Sequence, residues 1–432
     1  MGTDRKKRMI TLFLALALVF STAGLTGCAG DGGQDENTLT LMINASDSKN
    51  NYIGRIIDLY EQKTGNKIKL ITFDQENFDS KVRETFTAGT KKPDLLFHFN
   101  DSGLEALDIE KNFYYLNDEE WVDELTDDVM ANSLDKNGNV LGLPFWENSL
   151  SGCYYNKTIL DSLGLRPAAT QSEFDALCGA LKAAGYTPVY WASNACNWMF
   201  QFGLDPVFAD DPGLLEKLNR NEIAYADIPA VVDMVTWLDE ANRKGWFNSD
   251  YADAEWDNLA PAMADGEAVF LFSWDTWFDT DMDLAKGKYT KADFAVMPVF
   301  LNTVEEGTYE GGNMNMLMVT KDTPRLKEAL AFLNFCAEPD NYNAAFDGVS
   351  TLDSFKNQTT NMQSKMVTDA LVSVEHKRRV STAWPKIIGY QPNDVGDAVL
   401  KMFRGEVDVS GCIALMDESR MELARSLGAD GF

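Results

Sequence analysis

The stretch EAVFLFSWDTWF, Glu267 to Phe278, runs an apolar segment straight into Trp274, Asp275 and Trp277. An indole offers a large, rigid apolar face, and a carboxylate accepts hydrogen bonds on two oxygens. Side by side at a strand end, such groups either close a core or make a platform for a ligand. Bond-breaking chemistry is poorly provided for by comparison. The two histidines, His98 and His376, lie in no HExxH or similar metal-ligand spacing. His98 sits inside an apolar strand pattern, as a satisfied core histidine does, and His376 stands in EHKRR, which reads as a solvated helix face. No GxSxG elbow, phosphate loop or GxGxxG occurs. The run DTDMDL, Asp279 to Leu284, lacks the glycine and the closing glutamate of a calcium loop. Hydrolysis of a glycan needs only two carboxylates at the right separation, and an acidic chain has many, so a surface glycoside hydrolase stays open on these grounds.

Charge narrows the partners. The 432 residues carry a formal charge of −29, and no basic stripe interrupts it, so phosphate backbones are repelled and nucleic acid is not an expected partner. The amino terminus reads as an address. Arg5, Lys6, Lys7 and Arg8 precede the apolar run Met9 to Phe20, too short to span a bilayer comfortably, and then LTGC, Leu25 to Cys28. That tetrapeptide resembles the bacterial lipoprotein box, which implies cleavage after residue 27 and a diacylglyceryl anchor on Cys28. Residues 28–37, rich in glycine and polar side chains, suit a flexible stalk. Five further cysteines, Cys153, Cys178, Cys196, Cys336 and Cys412, form no CxxC pair and read as buried thiols, with one disulfide at most.

The elements that position these groups alternate. TLTLMINA from Thr38 reads as a strand; Ile53, Ile56, Ile57 and Tyr60 then share a helical face that stops at Gly65, and Lys67 to Phe73 returns to strand alternation. Phe78, Val82 and Phe86 mark a second helix, and Asp94 to Phe99 a buried strand. This βαβαβ run predicts a parallel sheet with right-handed crossovers. Ligands of such sheets sit beyond the carboxyl ends of the strands, which points to Asp74, Gln75, Phe99, Asn100 and Asp101. Thr170 and Glu173 make a capping box for a helix bearing Phe174, Leu177, Cys178 and Leu181. Thr187 to Asn194 reads as a strand, Asp227 as the cap of a helix with Pro229 in its first turn, and Asp257 to Asp265 as a short helix. DFAVMPVF and NMLMVT follow as strands, and the chain from Pro339 onward reads as mostly helical.

Four segments, in order, together resemble the sugar-binding family of extracellular solute-binding proteins that serve ABC transporters, the family of the maltose-binding protein. They are VLGLPFWENSLSGCYYNKTILDSLGL, AATQSEFDALCGALKAAGYTPVYW, MADGEAVFLFSW and YEGGNMNMLMVTKDTPRLKEALAFLNF. The chain departs from the family's pattern in having FSW where a glycine often precedes the tryptophan. The resemblance implies an α/β, two-lobed type II periplasmic-binding-protein fold with a hinge between the lobes. Lobe one would hold 38–148 and 278–335, and lobe two 149–277 and 336–432. It implies capture and delivery: a monomer without catalysis or cofactor, anchored at the outer face of the membrane, binding a carbohydrate, an oligosaccharide in particular, and docking on permease subunits. A sensor or adhesion module that keeps the fold without a transporter is the other binding alternative.

Carried onto this chain, the resemblance places Trp274 and Asp275 at the strand end leaving lobe two, facing the cleft. A pyranose presents C–H groups to an aromatic ring and hydroxyls to carboxylates and amides, so these types suit it. The other expected ligand residues are Asp74, Phe99, Asn100 and Asp101; Trp146 and Glu147 before the first crossing; Asn194 and Trp198 past a lobe-two strand; Gly312 and Asn313, where bare backbone approaches closely; and Trp384 and Asn393, with Tyr390, before a late helix.

Overall fold

The computed structural model describes residues 37–88, 91–105, 107–192, 197–255, 258–301, 305–311, 314–358, 378–380 and 383–432. Within it, β1 (Thr38–Asn44), β2 (Lys67–Phe73) and β3 (Leu95–Phe99) alternate with the helices Asn51–Thr64 and Gln75–Thr87, as the periodicity predicts. The first helix ends where Gly65 takes a φ of 76°, a left-handed conformation that costs glycine little. β1 and β3 are parallel, with Leu41 opposite Leu95. β10 (Asn315–Val319) returns antiparallel beside β3, with Asn315 opposite Phe99, and β4 (Leu143–Pro144) pairs with its far edge. The first sheet therefore runs β2-β1-β3-β10-β4.

Both faces of this sheet are covered, which is why β1 and β3 read as continuous apolar runs. Leu41, Ile43 and Phe97 face the first helix through Tyr52, Ile53 and Ile56. Met42, Leu96, Met316 and Met318 face the second through Phe78, Val82 and Phe86. At the amino-terminal end of β3, buried Asp94 accepts from the Thr40 amide (2.8 Å) and hydroxyl (2.7 Å) and from the Thr323 hydroxyl (2.6 Å), with Arg325 3.5 Å away. This carboxylate ties β1, β3 and the turn after β10 together.

The second sheet runs β11-β9-β5-β7-β6, with β8 also on β5. Its centre is β5 (Leu150–Asn156), flanked by β7 (Ala268–Trp274); β6 (Thr187–Val189), β8 (Phe294–Met297), β9 (Thr308–Gly311) and β11 (Arg378–Val380) complete it. The resemblance implied a return to lobe one at Phe278. Instead Phe278, Met282, Phe294, Phe300 and Tyr309 pack in the core of the second sheet, because β8 and β9 both bond to β5. Conversely, Tyr342, Phe346 and Phe355 pack in the core of the first, beyond the expected boundary at 335.

Other departures have local causes. The strand predicted from Thr187 to Asn194 ends at Val189, since the Trp191 amide bonds to the Asn248 side chain (2.6 Å) and its ring lies buried against Phe247 and Phe403. Asp227 closes the short 3-10 turn Tyr225–Asp227, accepting from the Ala224 amide, and the helix Pro229–Arg243 starts after Ile228. Arg378–Val380 is a strand parallel to β9 where a helix was read. DTDMDL lies within the helix Asp275–Leu284, so it forms no loop to encircle a cation. Cys153, Cys178, Cys336 and Cys412 are free and buried, as expected of apolar thiols. Among the described residues no helix is long and apolar enough to cross a membrane.

Candidate functional site

The carboxyl ends of β1, β3 and β4 converge on one group of side chains. Trp146, two residues past β4, is half-buried, with its ring edge-on to Phe99 at 5.6 Å and to Tyr52 at 5.9 Å. Tyr52 is held in turn by stacking on Phe346 at 4.6 Å. The Tyr52 hydroxyl accepts from Asn50 (3.1 Å) and hydrogen-bonds the carboxyl of Glu147. Burial raises the Glu147 carboxyl above its usual range, the Tyr52 hydrogen bond opposes this, and the nearby Asp47 charge adds to it. Glu147 Oε2 is buried without a hydrogen-bond partner, a state that costs free energy unless a ligand or water supplies a donor.

Asp47 stands beside this group on the turn after β1. It accepts from Asn315 Nδ2 (3.3 Å), and burial pushes it up to about 6 against hydrogen bonding from Ser46 and the charge of His98. The surroundings of His98 favour its protonated form. Its Nδ1 lies 2.8 Å from the Phe99 carbonyl, which only accepts, and its Nε2 3.2 Å from Asp79. Both nitrogens thus face acceptors, as an imidazolium requires. Burial alone would lower its pKa, but the charge of Asp101 and the hydrogen bonds to Asp79 and Phe99 outweigh it and push it up to about 9. Asp101, 4.0 Å from Nδ1, is raised by burial against the pull of His98, and it accepts from the Leu104 amide (3.0 Å).

The expected ligand residues divide accordingly. Phe99, Trp146 and Glu147 come together, joined by Asp47 and Tyr52, which the sequence reading missed. Asn100 gives its amide to the Asn132 and Leu134 carbonyls (3.0 and 2.8 Å) and so builds a loop. Asp74 is exposed and caps the second helix through the Asn77 amide and side chain. In the second sheet, Trp274 is half-buried at the end of β7, opposite Ser151. Trp384 takes its backbone position from Asp205, has its ring 5.5 Å from Tyr390, and carries an indole N–H that is buried without a partner. Asn393 is exposed near the start of the helix Pro392–Phe403. Cys28, Asn194, Gly312 and Asn313 lie outside the described residues, as do the side chains of Trp198 and Trp277.

Asp275 is corrected from ligand contact to framework. It is 1 % exposed, and its Oδ1 accepts from the Leu150 amide at 2.7 Å, just after the chain crosses between the sheets. The crossing is also clamped at Asn148, whose amide bonds to Thr351 Oγ1 (2.8 Å) and whose carbonyl accepts from Leu352 (2.8 Å). Asp275→Ala, which strands the buried Leu150 amide, is expected to cost about 1–3 kcal/mol in urea unfolding. Trp146→Ala, which touches no such bond, serves as the comparison.

A family profile described as bacterial extracellular solute-binding protein matches residues 55–369, well over half of the chain. The chain belongs to this family of extracellular solute-binding proteins. The family consists of binding proteins, not enzymes. The melibiose/raffinose/stachyose-binding protein MelE of Bacillus subtilis is 24 % identical over 349 residues, 78 % of each chain. Among solved structures, the binding protein MsmE of Bacillus subtilis, in an open conformation, superposes with a TM-score of 0.77 at 17 % identity, covering 91 % of this chain and 99 % of its own. A sugar transporter protein of Bacillus licheniformis in complex with stachyose gives 0.69 at 19 % identity, covering 89 % and 100 %. These neighbours share the two-lobed α/β fold.

Proposed function

We propose that this solute-binding protein captures a neutral oligosaccharide between its two sheets and hands it to the permease of an ABC importer. The observation that carries this reading is the group of Phe99, Trp146 and Tyr52 around the unpartnered Glu147 oxygen. The half-buried rings of Phe99 and Trp146 match the C–H faces of sugar rings, and a buried acceptor without a donor matches a hydroxyl. Charge points the same way. Asp47 and Glu147 stand in this group in a chain of formal charge −29, which disfavours an anionic solute. The sugars named for MelE and for the stachyose complex support the class.

In this reading Trp274 and Trp384 supply the second sheet's contacts, and the crossing around Asn148 is the hinge about which the two lobes close. Cys28 bears the lipid anchor that keeps a monomeric receptor at the membrane. The test is thermal unfolding of the lipid-free chain against mono- and oligosaccharides, amino acids, peptides and polyamines. A ligand that binds only the folded state raises its melting temperature with concentration. A saturable rise with a saccharide class is the expected result; a rise confined to amino acids, peptides or polyamines sinks the carbohydrate assignment.

A further inference from the structure

Beside the rings of the candidate site two carboxyl groups flank one phenol, and the hydrogen bonds around that phenol determine where a proton can sit. The Asn50 side chain gives an Nδ2 hydrogen to the Tyr52 hydroxyl oxygen at 3.1 Å. That oxygen is thereby an acceptor, and its own hydrogen turns to the Glu147 carboxyl. The Glu147 oxygen facing Tyr52 therefore accepts. Any proton that Glu147 carries sits on the other oxygen, Oε2, which is buried with no hydrogen-bond partner.

A buried carboxylate short of donors shifts toward its neutral form. Against the burial of Glu147 stand the Tyr52 hydroxyl and its own backbone amide, while the charge of Asp47 adds to the burial. From the helix Pro339–Ala345 it is faced by Tyr342, a phenol that burial keeps neutral.

Asp47 is no better provided. Ser46 Oγ lies 3.4 Å from its Oδ1 and Asn315 Nδ2 3.3 Å from its Oδ2, both longer than the usual hydrogen-bond range. The groups that face it are Ser46 on its own turn, His98 on β3, Asn315 on β10 and Tyr52 on the first helix, with Glu147 on the far side of that phenol. His98 is the charge that favours its ionised form, and that imidazolium is itself shared with Asp79 and Asp101. Burial outweighs these and pushes Asp47 up to about 6. Two like charges around one phenol titrate as a pair.

We propose that capture of a saccharide drives a proton out of this pair. A ligand hydroxyl donates to Glu147 Oε2; the O–H bond that the empty receptor keeps there breaks, its proton passes to solvent, and the loaded receptor holds the carboxylate. The inference rests on the carbohydrate reading above and adds to it a dependence on external pH. Because the empty receptor binds the proton more tightly than the loaded one, acid favours the empty form. Affinity is level above the titration of the pair and falls as the pH drops through it, by about tenfold per pH unit at the steepest. Asp47 centres that fall near pH 6. His98, at about 9, stays charged throughout, so the field it sets up at Asp47 is constant.

The test is isothermal titration of the lipid-free chain with raffinose, a sugar named for MelE, or with the saccharide that most raises the melting temperature. It is run at pH 6 in phosphate and in imidazole buffer, whose ionisation enthalpies differ, and the dissociation constant is followed from pH 5 to pH 8. Roughly half a proton or more is expected to leave per ligand at pH 6, with affinity about tenfold weaker at pH 5 than at pH 7. Glu147→Gln and Asp47→Asn are each expected to lower the number released. Where a variant binds too weakly to titrate, carboxyl-carbon NMR of the wild type decides: the Glu147 and Asp47 titrations move to lower pH when the saccharide saturates the site. Equal enthalpies in the two buffers with a flat pH profile, uptake of a proton in place of release, release that neither variant changes, or carboxyl titrations that the saccharide leaves in place overturn the proton linkage while the receptor reading stands. A wild type that binds no saccharide at any pH overturns both.

Discussion

Trp274→Ala is expected to weaken binding of the cognate saccharide by about a hundredfold while the chain still folds, because an aromatic anchor at the centre of a site carries roughly 2–4 kcal/mol of the binding energy. The structure sets the reason for choosing this tryptophan. It is half-buried at the end of β7, so part of its ring area remains available, whereas Trp191 is 2 % exposed and spends its ring on Phe247 and Phe403. In the proposed site Trp146 is the matching anchor beside the first sheet. If both rings hold one ligand, Trp146→Ala, Trp274→Ala and the double variant, measured by titration calorimetry, fall short of additivity, since removing either ring leaves the lobes without a joint contact. Wild-type affinity in either single variant would remove that tryptophan from the site.

The second large effect is on stability and pH. His98 has an ordinary pKa near 6.5 in the unfolded chain and about 9 when folded. A group whose folded pKa is raised stabilises fully below its unfolded value and loses that contribution as pH rises through the folded one. The protein is therefore expected to be most favoured by His98 below about pH 6.5 and to lose roughly 2–3 kcal/mol between there and pH 10. Asp79 is well exposed, which places the result at the lower end of that range. His98→Gln keeps hydrogen-bonding capacity but not the charge. The difference in urea midpoints between wild type and His98→Gln, taken at pH 6 and pH 10, isolates this group from the tyrosines and lysines that also titrate. A difference that stays constant with pH shows that the imidazolium does not form.

Much of this arrangement was legible because it rests on local pattern. The two helices that cover the first sheet announce themselves by Ile53, Ile56 and Tyr60 and by Phe78, Val82 and Phe86, all buried. The Thr170 cap is real: its hydroxyl accepts from the Glu173 amide, although Glu173 reaches back to Ala169 and not to Thr170 itself. The rule that ligands gather at strand carboxyl ends points to Phe99 and, applied equally to β1, points to Asp47. Tyr52 carried no such signal, since it reads as one more apolar residue of a helical face. Asp275 misled for the opposite reason. Sequence shows that a carboxylate stands beside a tryptophan, but which of the two turns inward depends on the Leu150 amide, 125 positions away along the chain.

The position of β10 has a consequence in time. It lies between β3 and β4 in the first sheet, yet the chain reaches it only after passing through β5 to β9 of the second. Until residues 315–319 emerge from the ribosome or the export channel, β3 has a bare edge where β10 belongs, and β4 has no strand to pair with. A chain halted short of that point is an open template for mispairing. Pairings of this range are closed slowly, since the connecting loop must lose its freedom before any contact repays it. The amino-terminal half therefore waits, unfinished, on the carboxyl-terminal half, and the molecule becomes a receptor only when its synthesis is nearly over.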